Sequence, residues 1–93
     1  MRYKTRSGVV LTQIRGEYLL VSSSTLRELC PFVTTVNETS AFLWKQLQNG
    51  ATEEELLLAV AEEYEVDDPE VLRGVIRSFL EQMQAMHYLL EEG

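Results

Sequence analysis

Two hydrophobic periods divide this chain. As far as Val36 the apolar residues come in short β-branched or aliphatic runs, and beyond Asn37 they recur at helical spacing. Gly8 to Ile14 is one run and Tyr18 to Val21 another, separated by Arg15-Gly16-Glu17. Gly16 can take the positive φ of a tight turn, so the pattern predicts a β-hairpin with strands near 8–14 and 17–22. Ser22 to Thr25 is a polar break, and Leu26 to Pro31 reads as a loop or a short helical turn. Phe32-Val33-Thr34-Thr35-Val36 is wholly β-branched or aromatic and predicts a third short strand.

The remainder has helical punctuation. Asn37 is a good N-cap for a first helix from about Glu38 to Gln48, which carries Ala41, Phe42, Leu43, Trp44 and Leu47 and stops at Asn49-Gly50. Thr52 and Glu55 form a capping box that opens a second helix reaching about Tyr64. Asp68 as N-cap and Pro69 at the first helical position open a third, ending near Met86, with Tyr88-Leu89-Leu90 as a short apolar tail. The expected fold class is α+β and winged-helix-like, in the order βββααα. A three-stranded antiparallel sheet packs on a three-helix bundle in one domain spanning residues 1–93.

Helix three carries more apolar surface than one stripe needs. Val71/Leu72, Val75/Ile76 and Phe79/Leu80 are adjacent pairs, and Met83 and Met86 follow. Part of the helix can therefore face a groove. Arg73 and Arg77, four residues apart, flank the same surface, and pairing with Glu70 and Glu81 is their ordinary fate. The third strand is short and extends a hairpin, which places it at a sheet edge. Unpaired N–H and C=O groups on an edge accept an added strand from a peptide. The candidate peptide contacts are Phe32, Val33, Thr34, Thr35 and Val36 on the strand, with Arg73, Ile76, Arg77 and Leu80 on the helix. Acidic side chains of a ligand would meet the arginines.

Charge narrows the partners. The net charge is -7 over 93 residues. Residues 1–30 hold five basic and two acidic residues, and residues 31–93 hold three basic and thirteen acidic ones. Duplex binding draws its affinity from basic residues on phosphates, so an acidic helical half opposes nucleic acid. The N-terminus has Arg2, Lys4 and Arg6 but no apolar stretch after them, and no run is long enough to span a bilayer. Cys30 is the single cysteine, which rules out a disulfide within the chain and suits the reducing cytoplasm.

Catalytic chemistry is missing from the pattern. One histidine, His87, and one cysteine offer neither a nucleophile–base pair nor a metal set. His87 at the end of helix three suits a charge-complementing role. The paired acids lack the spacing of a calcium loop, and the five glycines form no phosphate cradle. Gly74 lies inside helix three, where it costs about 1 kcal/mol relative to alanine, and it either permits a close backbone approach or is simply tolerated.

Val36-Asn37-Glu38-Thr39-Ser40-Ala41-Phe42-Leu43-Trp44-Lys45-Gln46-Leu47 closely resembles the L-N-E-T-G-A-x-x-W-x-L-L signature of the pyrroloquinoline quinone biosynthesis protein D (PqqD) family. Gly16-Glu17-Tyr18-Leu19-Leu20 resembles the family's G-E-Y-x-L strand, and Gly50 to Leu56 its G-x-T-x-E-E-I boundary. Ala61 to Asp67 resembles L-x-E-E-Y-D-V-D, and Val75 to Leu90 the closing V-x-x-F-L-x-x-L-x-x-x-G-L-L. Ser40 stands where the family often has Gly, and His87-Tyr88 where a Gly precedes two leucines. The resemblance covers about residues 8–91.

It implies a RiPP recognition element, a non-catalytic domain without cofactor or metal. Such a domain binds the leader of a ribosomally made precursor peptide by strand addition and presents it to a maturase, commonly a radical SAM enzyme. PQQ biosynthesis is one such pathway. The groove would lie between Phe32–Val36 and helix three. Two other readings compete: a winged-helix DNA-binding regulator, which the charge opposes, and a homodimer formed by strand or domain swapping.

Overall fold

The computed structural model describes residues 1–26 and 28–92. The α+β core follows the expected order βββααα, and a second small sheet closes around it. Strand β1 is Arg2–Thr5, β2 is Val9–Ile14, β3 is Glu17–Ser22 and β4 is Val33–Val36. Helix α1 is Glu38–Leu47, β5 is Ala51–Thr52, α2 is Glu53–Glu63, α3 is Pro69–Ala85 and β6 is Leu89–Glu92. No described helix is long and apolar enough to cross a membrane.

Strands β2, β3 and β4 form an antiparallel meander with β3 in the middle. The β2–β3 turn places both central residues in the left-handed region, Arg15 at φ 52 and Gly16 at φ 82. That geometry matches the right-handed twist of the flanking strands. A 3-10 turn over Ser24–Leu26 begins the connection to β4, and Arg27, within the expected loop, lies outside the described residues.

Each helix begins as its sequence dictates. Asn37 Oδ1 accepts from the Ser40 amide at 2.7 Å, and Asp68 Oδ1 accepts from the Glu70 amide at 3.0 Å. Thr52 and Glu55 close the capping box reciprocally, at 3.1 and 2.9 Å. Arg2 donates to Glu55 at 2.8 Å and to the Gly50 carbonyl at 3.0 Å, pinning β1 to the α1–α2 junction.

The second sheet, in the order β5-β1-β6, is absent from the sequence expectation. Strand β1 pairs with β6 over Arg2↔Glu92 to Thr5↔Leu89. Arg2-Tyr3-Lys4-Thr5 is too polar and too short to announce itself, and its partner lies at the other end of the chain.

The core between meander and helices is fully closed at Leu20, Leu43, Trp44, Leu47, Leu56, Ile76 and Tyr88. Trp44 meets Tyr88 edge to face, with ring centroids 6.1 Å apart and an interplanar angle of 82°. Burying two such aromatics supplies a large share of the apolar area from which a domain of this size draws its stability.

Helix α3 ends in a Schellman motif. The Tyr88 amide donates to Met83 O at 2.9 Å and the His87 amide to Gln84 O at 3.0 Å. His87 occupies the left-handed position at φ 62, where glycine normally sits. The departure from the glycine of the closing motif is therefore a strained substitution, and His87 acts here through its main chain. Its side chain is exposed, so little packing is at stake. Replacing His87 with Gly relieves a left-handed cost of about 1–2 kcal/mol, less the extra entropy of an unfolded glycine. The expected outcome is a net gain of about 0.5–1 kcal/mol in urea unfolding with an unchanged slope.

Candidate functional site

The site is assembled from the free edge of β4 and one face of α3. The Ser22 amide donates to Phe32 O at 2.9 Å, which makes Ser22–Phe32 a hydrogen-bonded pair of the antiparallel ladder. The register continues through Val21↔Val33, Leu20↔Thr34, Leu19↔Thr35 and Tyr18↔Val36. Alternation then turns the N–H and C=O of Thr34 and Val36 toward β3. Those of Val33 and Thr35 face the open edge, two donor–acceptor sets spaced for an incoming strand.

A polar node holds this edge in place. Tyr88 is fully buried, and its hydroxyl donates to Pro31 O at 3.0 Å and shares a hydrogen bond with Thr34 Oγ1 at 2.7 Å. Ser22 Oγ donates to the same Pro31 carbonyl at 2.7 Å. The Cys30 thiol donates to His87 O at 3.3 Å, and Arg6 Nε reaches that carbonyl at 2.6 Å. The segment Cys30–Thr34 is thus fastened to the residues just past α3. Burial pushes the Tyr88 phenol above its ordinary pKa against the opposing hydrogen bond from Thr34, and burial likewise raises the Cys30 thiol. Neither group is poised for reaction.

Past Val36, a groove of about 420 Å³ lies between the start of α1 and α3. Asn37, Thr39 and Ser40 form one wall, and Val71, Gly74, Val75, Ser78 and Gln82 form the other. Val71 is 63% and Val75 48% exposed, four residues apart on one helix face. A Cβ built on Gly74 meets nothing within 4 Å, so the glycine leaves a shallow notch in that face.

The five strand residues among the sequence candidates lie together at the edge. Val33 and Thr35 are exposed, Thr34 and Val36 half-buried, and Phe32 half-exposed beside them. The four helix candidates do not join them. Ile76 and Leu80 point into the core, at 0% and 4% exposure. Arg73 pairs with Glu54, and Arg77 Nε donates to Glu53 at 2.7 Å, so both arginines are committed to α2. The expected partners, Glu70 and Glu81 on the same helix, are not the ones used. Helix α3 is rotated so that the 71/75/78/82 face meets the groove and the 73/77 face meets α2. The sequence could not fix that rotation, because apolar pairs made both faces look buried. Exposed Val71 and Val75 beside the small residues Gly74 and Ser78 were the available signal.

The same ion pairs dispose of a basic recognition helix, since the cations that phosphate would need are already neutralised. Among the described residues no group of three or more His, Cys, Asp or Glu side chains could hold a metal ion.

Comparison with known proteins matches residues 9–89 to coenzyme PQQ synthesis protein D, PqqD. The chain belongs to the PqqD family. A search of curated protein sequences finds no match. Among solved structures, TbiB1 in complex with the TbiA(beta) leader peptide aligns with this PqqD-family chain at a TM-score of 0.75 and 23% identity, over 97% of this chain and 98% of that one. A lasso peptide synthetase B1 complexed with its leader peptide aligns at 0.73 and 16% identity, over 96% and 98%. At these identities the two structures establish the fold that the PqqD-family chain shares with them.

Two measurements probe the site's supports. Tyr88→Phe deletes the hydroxyl that ties Pro31 to Thr34, an expected loss of about 1–3 kcal/mol. Amide exchange should quicken first at Thr34 and Val36, ahead of the α1 amides; uniform acceleration would show that the hydroxyl is not what holds β4. The second concerns acid. The Arg73 hydrogen bond and charge hold the Glu54 carboxyl below its ordinary pKa, and the Thr52 amide does the same for Glu55. Folded-state values below the ordinary 4.5 mean stability that is present above that pH and lost as pH falls through the lowered values. The double variant Glu54→Gln/Glu55→Gln should flatten the acid decline of the thermal midpoint.

Proposed function

We propose that this chain is a non-catalytic peptide-binding domain that takes the leader of a ribosomally made precursor peptide as a fourth strand along β4 and presents it to a maturation enzyme. The observation that carries the reading is the free β4 edge, with the Val33 and Thr35 main chains directed outward, together with the exposed Val71/Val75 face of α3. Family membership and two fold relatives whose structures hold leader peptides support it. The main-chain ladder supplies affinity without sequence preference, and alternate peptide side chains fall onto α3 and confer specificity. Proposed contacts are Phe32 to Val36 on the strand and Val71, Gly74, Val75, Ser78 and Gln82 on the helix. They replace the α3 set Arg73, Ile76, Arg77 and Leu80.

A radical SAM enzyme is the partner class that the PqqD family suggests. The buried thiol of Cys30 suits the cytoplasm. A homodimer through exchange of β4 would occupy the same edge, so peptide and dimer would compete.

The test is an NMR titration with a synthetic peptide covering the leader half of a precursor encoded beside the gene. Shifts should concentrate in β4, Asn37–Ser40 and the 71–82 face of α3, with the Val33 and Thr35 amides newly protected from exchange. Shifts confined to the outer face of α2, or no binding at tens of micromolar, would overturn the assignment. Gly74→Ala separates fold from function. It should raise stability by about 0.5–1 kcal/mol, since the new methyl meets open space in a helix. The same methyl fills the notch where the peptide lies, and overpacking of about 1–3 kcal/mol corresponds to roughly five- to 150-fold weaker binding.

A further inference from the structure

The groove does not stop at Val71. Thr39, Val71 and Val75 also line a second hollow, of about 440 Å³, between the end of α2 and the start of α3. Its floor is apolar, formed by buried Val60 and half-buried Val66 and Leu72. Its mouth carries Glu65 and Asp67, both exposed. Among the described residues neither of these takes part in an ion pair. Tyr64 stands at the same mouth, its ring edge-on to Phe42 at 5.5 Å. Burial, and after it the charges of Glu38 and Glu63, raise the Tyr64 phenol above its ordinary pKa.

We propose that this hollow selects leader peptides that carry a lysine or arginine at a fixed offset from the segment paired with β4. The proposal rests on the peptide-binding reading and adds a specificity to it. An apolar floor with carboxylates at its mouth has the amphipathic profile of a Lys or Arg side chain, whose aliphatic stem packs on hydrophobic surface while its head stays in water. The stem lies over Val66, Val71 and Val75, and the cation meets Glu65 and Asp67. The ligand charge is thus the reverse of what Arg73 and Arg77 suggest from sequence, because those arginines are already held by α2.

The geometry sets the spacing. From Gln82 to Val71 the α3 face advances eleven residues at about 1.5 Å each, roughly 16 Å. An extended peptide covers that with about five residues at about 3.3 Å each. The basic residue therefore lies about five residues beyond the segment paired with β4. The acidic helical half as a whole speeds the arrival of any cationic peptide, but a diffuse field carries no positional preference. A preference at one offset therefore distinguishes the hollow from the general charge.

Messenger-RNA display of random peptides of about a dozen residues against the full chain tests this. The enriched pool should show a β-branched or aromatic strand segment with Lys or Arg at one offset on one side of it. A synthetic winner should lose about three- to fivefold in affinity when that residue becomes Gln, the scale of a partly exposed ion pair. The double variant Glu65→Lys/Asp67→Lys, checked for fold by circular dichroism, should lose the preference and favour Asp or Glu at the same offset. Strand-forming winners with no preferred offset, or a basic preference that survives the double variant, overturn the inference and leave peptide binding intact. A pool in which no peptide protects the Val33 and Thr35 amides overturns the peptide-binding reading and this inference with it.

Discussion

The buried hydroxyl of Tyr88 is the constraint on which the rest of the site depends. It lies beyond the last helix, yet it fixes the position of a strand more than fifty residues earlier by bonding to Pro31 and Thr34. Its ring packs against Trp44, so the same side chain joins the aromatic core to the sheet edge. An edge strand bonded on one side only is prone to fray, and a frayed strand is a poor template. Attaching β4 to the core through Tyr88, Ser22 and Cys30 keeps one side rigid while leaving the other open. Preorganisation of this kind lowers the ordering cost that a strand-adding ligand otherwise meets.

Charge placement follows a similar division of labour. The two arginines of α3 sit against Glu53 and Glu54 and hold α2 and α3 together. The acids at the α2–α3 turn have no such partner among the described residues. One face of α3 is thereby neutral and structural, and the start of the helix is negative and open. A count of charges along the chain cannot make that separation, since it depends on which acids the arginines reach in three dimensions.

Much of the fold was legible in local chemistry. Arg15-Gly16, Asn37, Asn49-Gly50, Thr52/Glu55 and Asp68-Pro69 each specify a turn or a cap from a few adjacent residues, and each element boundary lies within about two residues of its expected place. The edge character of β4 was legible for the same reason, as a short β-branched run after a hairpin. Two things were not. Strands β1, β5 and β6 exist only through pairing between distant segments, and Arg-Tyr-Lys-Thr carries no signal of its own. The rotation of α3 is set by packing of Ile76, Phe79, Leu80 and Met83, and a helix with apolar residues on several faces leaves it open. The family signature around Trp44 identified the relatives, and the proposed binding surface lies elsewhere.

The pairing of β1 with β6 has a consequence for biogenesis. Arg2 cannot find Glu92 until residue 92 has left the ribosome, and Tyr88 emerges only a few residues before that. The hairpin, β4 and α1 can collapse early on local contacts, but β4 lacks its Tyr88 anchor until residue 88 emerges. Only then does β4 gain the bonds that fix it to the aromatic core, so an ordered edge arrives together with the closing strand.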